Sequence, residues 1–308
     1  VSDPALSVGA EVVLAVDLSG SNFDVGLVTM RGDLLDRARI RVDHDLGAEK
    51  LWTRLAELLD NQKDRARQHQ TRIAAVGVSC SGSIERNLST VSPINIPAWY
   101  NFELGRRLSD HVGLQIFGDL DARALALSEG WLGVAKGYRN FCAISVGDGV
   151  GGGIVIDGQL LEGASGNAGH IGHVIVVPGG RRCGCGAQGC LEAEASGLAI
   201  ESITGRPTTE PSYEIMQRTG ELVGRAAAGV CSSMDLDLVV VGGSVAFAFA
   251  ATLFASAQEE LDRLSAAWPF SPRIVSARLG DRGPLVGAAA VAIRGLNQSR
   301  RGVRFQAV

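Results

Sequence analysis

The chain has 308 residues and a formal net charge of −4, enough length for two ordinary domains and no basic surplus of the kind that nucleic acid or anionic membranes attract. No apolar run approaches the roughly 18 residues of a membrane span, no charged-then-apolar leader opens the chain, and six cysteines in so long a chain do not make a disulfide framework. The expectation is a soluble cytoplasmic protein with reduced thiols, with no nucleic-acid or membrane partner, and with Arg300, Arg301 and Arg304 as a solvated tail.

The first ten residues lack periodicity and read as a lead-in. Val12–Leu18 is apolar and β-branched, and Ser19-Gly20-Ser21-Asn22 turns it into a second strand over 24–30. Alternation over 34–42 predicts a third strand, and leucines and alanines at helical spacing predict a helix over 49–68. A buried strand follows over 73–78. Residues 80–101, with Gly82, Pro93 and Pro97, read as a long loop of the kind that carries function. A helix over 102–112 and a strand over 114–117 complete the first half.

The pattern then restarts. The sequence predicts a helix over 121–136, a strand over 140–146 ending in the glycine cluster 147–153, and a hairpin turning at Asp157-Gly158. Helices are expected over 194–203 and 213–232, and a buried strand over 238–241 leads into Gly242-Gly243-Ser244 and a long helix. A strand over 273–276 and a helix over 284–294, with proline in its first turn, close the chain. Two units thus share one order of hairpin, third strand, helix, strand and helix, a weak internal repeat. A duplicated α/β plan of this kind places a ligand in the cleft between halves. One glycine turn alone shapes a hairpin; three of them, at Gly20, at 147–153 and at 242–243, favour contact with phosphate or nucleotide.

The densest chemistry lies between Gly163 and Ala195. Cys183, Cys185 and Cys190 supply three thiolates within eight residues, spaced by glycines, and Zn²⁺ takes four such ligands in a tetrahedron. The fourth is a nitrogen or oxygen nearby, with His170 and His173 both just upstream.

Gly172-His173 followed by Cys-Gly-Cys-Gly-Ala-Gln-Gly-Cys-Leu-Glu over 183–192 resembles the signature of the ROK family of repressors, open reading frames and sugar kinases. The resemblance covers nearly the whole chain, through Asp17, the loop 95–99, the stretch 121–129, the hairpin 147–163 and Gly242-Gly243. It implies an α/β architecture with the actin-like ATPase (ribonuclease H-like) fold, two α/β domains around a central cleft. Their expected bounds are 1–118, rejoined by a C-terminal helix over about 284–308, and 119–283 with the zinc-binding loop. It also implies transfer of the ATP γ-phosphoryl group to a sugar hydroxyl, with Mg²⁺ at the phosphates, and assembly as a homodimer or homotetramer.

Carried over residue by residue, Asp121 matches the general base, and Gly82 and Asn95 fall in the loop over the sugar. His173 matches a zinc ligand and sugar contact, and Glu192 a sugar contact, with His170 beside them in the substrate site. Asp17, Gly20 and Ser21 match the first phosphate turn, Gly147, Asp148 and Gly149 the second, and Gly242 and Gly243 the third nucleotide element. On residue type alone, Asp121 reads better as a helix N-cap, and Asp17 fits a turn residue and Glu192 a solvated charge.

Leu120, His170, the first phosphate turn and Asp148 depart from the family pattern. Leu120 and His170 stand where Asn and Glu are usual, Ser19 and Ser21 alter the first phosphate turn, and Asp148 replaces a Thr. A carboxylate about 5 Å from a phosphate oxygen, at an effective dielectric of about 20, costs about 3 kcal/mol, roughly two decades in affinity. The favoured reading is an ATP-dependent hexose or amino-sugar kinase. The alternatives are a non-catalytic sugar sensor or trimmed repressor, against which stands a first strand beginning near residue 12, and a purely structural zinc protein, which leaves Asp121 and the glycine turns unexplained.

Overall fold

The computed structural model describes residues 9–85 and 88–300, so most of the expected lead-in, together with Arg301 and Arg304, lies outside the described residues. The chain forms two compact units, one running to Ala124 and resuming at Asp281, the other spanning Leu125–Gly280.

In the first unit β1 (Glu11–Leu18), β2 (Asn22–Thr29) and β3 (Leu34–Arg41) form an antiparallel meander. β4 (Arg72–Cys80) and β7 (Ile116–Leu120) add in parallel on the other side of β1, giving the order β3-β2-β1-β4-β7. β1 is buried from Val12 to Leu18 because both faces of the sheet are covered, the pattern expected of a central strand. On one face Val12, Leu14 and Val16 pack with Leu51, Leu55 and Leu59 of α1 (Ala48–Gln68). On the other, Val13 and Ala15 pack with Leu285, Ala288 and Ala292 of α8 (Gly283–Arg300).

The stretch expected as one long loop contains a small hairpin, β5 (Ser83–Ile84) with β6 (Val91–Ser92), and a 3₁₀ turn at Pro97–Trp99. Trp99 is fully buried between the rings of Phe23 and Phe102, with centroids 4.9 and 4.7 Å away, and its indole N–H donates to Ala48 O. This stack holds the segment to the sheet ahead of α2 (Leu104–Val112). β7 starts two residues later than the apolar pattern indicates and runs to Leu120, because its register is set by pairing Ile116–Leu120 with Val76–Cys80.

The second unit repeats the plan. β8 (Phe141–Val146), β9 (Val150–Ile156) and β10 (Gln159–Leu160) are antiparallel, β11 (Leu238–Gly242) and β12 (Arg273–Ser276) are parallel to β8, and the order is β10-β9-β8-β11-β12. Half of the expected glycine turn is therefore strand, since Gly151–Gly153 pair with Ala143–Ser145.

Two helices end or break differently from expectation. α3 (Asp121–Trp131) stops five residues short of Lys136, because the buried Glu129 side chain accepts from Val134 N at 2.8 Å and from Arg278 N and Leu279 N. The segment expected as one helix over 194–203 is two, α4 (Leu191–Ala195) and α5 (Gly197–Thr204), split at Ser196, whose hydroxyl caps α5 by accepting from Ala199 N. α6 (Tyr213–Met234) packs along α7 (Ser244–Ser265), which is kinked at Ala250. Among the described residues no helix is long and apolar enough to cross a membrane.

Candidate active site and metal loop

In the first unit, acidic and hydroxyl side chains line up at one end of the sheet. Asp17 of β1 pairs in register with Asp24 of β2 and Ser79 of β4, and Ser79 with Asp119 of β7. In-register residues share a face, so these four form one polar row, and Asp121 follows at the start of α3. Leu120 pairs with Cys80, one residue off that row and on the opposite face.

Burial pushes the Asp17 carboxyl up to about 7; the Ser79 hydroxyl pulls it down, and the charges of Asp121 and Asp24 add to the rise. Burial likewise pushes Asp121 up to about 6, opposed by the Ala122 N–H that donates to its Oδ1 at 2.7 Å. Burial also raises Asp24, against the pull of Arg37. Arg37 Nε donates to Asp24 Oδ1 at 2.8 Å, Arg39 Nη2 to Asp24 Oδ2 at 2.7 Å, and Asp281 closes the network on both arginines. Gly20 and Asn95 are packed together: a Cβ added to Gly20 would lie 2.2 Å from Asn95 Cβ. Gly82, at φ +120°, abuts Pro93 and Ile94 in the same way. The first turn thus packs against Asn95, with Ser21 exposed beside it.

In the second unit, the turn Gly147-Asp148-Gly149 is closed by Gly147 N donating to Gly149 O at 2.9 Å. Gly197 N at the start of α5 donates to Gly147 O at 2.7 Å, so those helix N–H groups are used by the turn itself. Gly242 ends β11, and Gly243, at φ +102°, leads into Ser244, whose Oγ lies 3.4 Å from the Cβ position of Gly147. The second and third glycine elements are therefore neighbours. Asp148 is exposed; partial burial and the charge of Glu201 hold its carboxyl above the usual range.

Beside them, His173 ends a 3₁₀ turn, Ile171–His173, and His170 is exposed with its ring centroid 5.8 Å from that of His173. Glu192, in the first turn of α4, accepts from Val150 N through Oε2 at 3.1 Å, which ties it to the start of β9. His173, Cys183, Cys185 and Cys190 converge, all ligand atoms lying within 4.8 Å of one another. Cys185 Sγ is 3.6 Å from Cys190 Sγ, and Cys183 Sγ is 3.7 Å from His173 Nδ1. A tetrahedral ion with Zn–S of about 2.3 Å separates its ligands by about 3.8 Å, so the residues present fit zinc. Gly189 makes the loop possible: at φ +78°, any Cβ there would sit 1.6 Å from Val177 O. His173 is part of the convergent set and His170 is not.

Several residues the sequence reading passed over hold these parts in place. Buried Glu194 accepts from Arg181 N at 2.6 Å and pairs with Arg218 of α6; burial pushes its carboxyl up, and these donors bring it below the usual range. Asp119 accepts from Arg123 Nε at 2.6 Å. The available signal was the i,i+4 acid–base spacing of Asp119 and Arg123 across the helix start.

The ROK family model matches residues 13–294. The chain is 30% identical over 312 residues to the glucokinase of Thermotoga maritima, covering 91% of this chain and 96% of that protein. It is 36% identical over 253 residues to the N-acetylmannosamine kinase of Citrobacter koseri, covering 76% and 84% of the two chains. Among solved structures, a ROK family glucokinase from Streptomyces griseus, in complex with glucose and AMPPNP, superposes with a TM-score of 0.76 at 25% identity, over 90% of this chain and 98% of that one. With two sheets of identical strand order and a family match over nearly its full length, the chain belongs to the ROK family and has the actin-like ATPase fold.

Proposed function

We propose that the protein is an ATP-dependent sugar kinase, and that Asp121 is its general base. The observation that carries this reading is the carboxyl of Asp121, set at the first turn of α3 beside the acidic row and pushed by burial to about 6. A base with its pKa near the working pH combines ionisation with driving force for proton transfer. As the sugar hydroxyl oxygen attacks the γ-phosphorus and the bond to the β-phosphate oxygen breaks, the hydroxyl proton passes to Asp121, in this reading to Oδ2, since Oδ1 already accepts from Ala122 N.

The turns at 147–149 and 242–244 support a nucleotide site, offering close backbone approach with few side chains in the way. Gly20 and Ser21 are also assigned to phosphate. Asp17 would supply a carboxylate for Mg²⁺, which neutralises charge on the transferring group, and a buried carboxyl raised to about 7 is suited to exchange its proton for a cation. Zinc would be held by His173, Cys183, Cys185 and Cys190; four protein ligands leave no open position, so its part is to brace the loop.

For the sugar, Asn95 and Gly82 on one loop, and Glu192, His173 and His170 around α4, are the assigned contacts. Exposed His170 offers a ring N–H to an acceptor such as an acetamido carbonyl, and the likeness to an N-acetylmannosamine kinase supports an N-acetylated amino sugar alongside hexoses. The family's dimeric or tetrameric assembly is part of the same proposal. ADP release measured over hexoses, amino sugars and N-acetylated sugars tests it. Turnover on at least one of them is expected; sugar-induced thermal stabilisation without turnover on any would establish a non-catalytic sensor instead.

A further inference from the structure

Arg123 is the most costly residue near the proposed base. Its side chain is 1% exposed, set between buried Ala122 and Ala124, and its Nε donates to Asp119 Oδ1 at 2.6 Å. Taking an ion out of water costs far more than burying an alkyl chain of the same length, and apolar replacements of buried ion pairs are often as stable or more so. Stability alone therefore does not account for a guanidinium there. Nor can it bind substrate, being sealed from solvent.

Its partner shows what it does. The same Oδ1 of Asp119 also accepts from Leu120 N at 2.8 Å, while Asp121 Oδ1 accepts from Ala122 N. The backbone N–H groups on either side of residue 121 are thus held by two carboxylates, and Arg123 fixes the first of them from inside the helix. We infer that Asp119 and Arg123 form a positioning clamp that sets the orientation of Asp121 without touching substrate. The inference rests on the kinase reading of Asp121.

Transfer to a base is sensitive to placement, and a displacement of about 1 Å costs about 100-fold in rate. The test compares Arg123→Met, Arg123→Lys and the pair Asp119→Asn with Arg123→Met by melting temperature, kcat and sugar KM. Arg123→Met removes the guanidinium from the half-buried Asp119 and is expected to lower both stability and kcat, with Arg123→Lys intermediate. The double variant, which removes both charges of this pair, is expected to recover the melting temperature while kcat stays about 100-fold down and KM within about threefold. Recovery of kcat together with stability, or a rise in KM at unchanged kcat, overturns the clamp.

Wild-type turnover on the sugar panel is measured first. If there is none the kinase reading fails, and the clamp is judged separately by ¹³C titration of the Asp121 carboxyl. A midpoint that falls toward ordinary aspartate in the double variant supports it, and an unchanged midpoint overturns it.

Discussion

Burial holds the Asp17 carboxyl at about 7 and that of Asp121 at about 6, against an ordinary 3.8. The folded state therefore binds these protons more tightly than the unfolded chain, and their contribution to stability falls as pH rises from about 4 to about 7. Asp17→Asn removes the charge that has to be buried. Its melting temperature is expected above wild type at pH 8, by a margin that narrows at pH 5, with phosphoryl transfer lost; an equal or lower melting temperature at pH 8 contradicts the assignment. At Asp148 the exposed side chain changes the weight of the charge. Near solvent the effective dielectric approaches that of water, and the cost of a pair about 5 Å apart falls to about 1 kcal/mol. Asp148→Thr is expected to lower the KM for ATP by less than about tenfold, with the gain shrinking at high salt. A hundredfold gain would show that the carboxylate faces the phosphates directly.

At the scale of the element, the cysteine loop was legible because its information is local: ligand types, a four-residue gap and interspersed glycines, of which Gly189 has no room for a Cβ. The structure brings the four expected ligand atoms together. Glu194 was not legible, because its meaning depends on Arg218, 24 positions away along the chain. The glycine run at 151–153 misled for a different reason: glycine has no side chain to alternate, so a strand made of it carries no period-two signal. α3 was read too long because nothing in its composition shows that Glu129 turns back to take Val134 N. The loop also yields a prediction. Purified protein is expected to carry about one zinc per chain by elemental analysis, and chelation to open residues 173–190 to protease and weaken sugar binding. Full sugar affinity in the zinc-free protein would separate the knot from the sugar site.

Across the whole molecule, the duplicated order read from the sequence is present as two five-stranded sheets of the same topology, β3-β2-β1-β4-β7 and β10-β9-β8-β11-β12. Turn glycines and β-branched runs set that order and are visible in one dimension. The register that aligns Asp17, Ser79 and Asp119 is not, since it arises only when residues 40 and 62 positions apart pair. That row brings acidic groups near Asp121, the helix-starting aspartate proposed as the base. The most direct test is Asp121→Asn against wild type, with turnover measured on the best sugar of the panel and sugar affinity measured by calorimetry. The account predicts a fall in kcat of about 10²–10⁴-fold with the sugar Kd nearly unchanged. Turnover within a few-fold of wild type would contradict it.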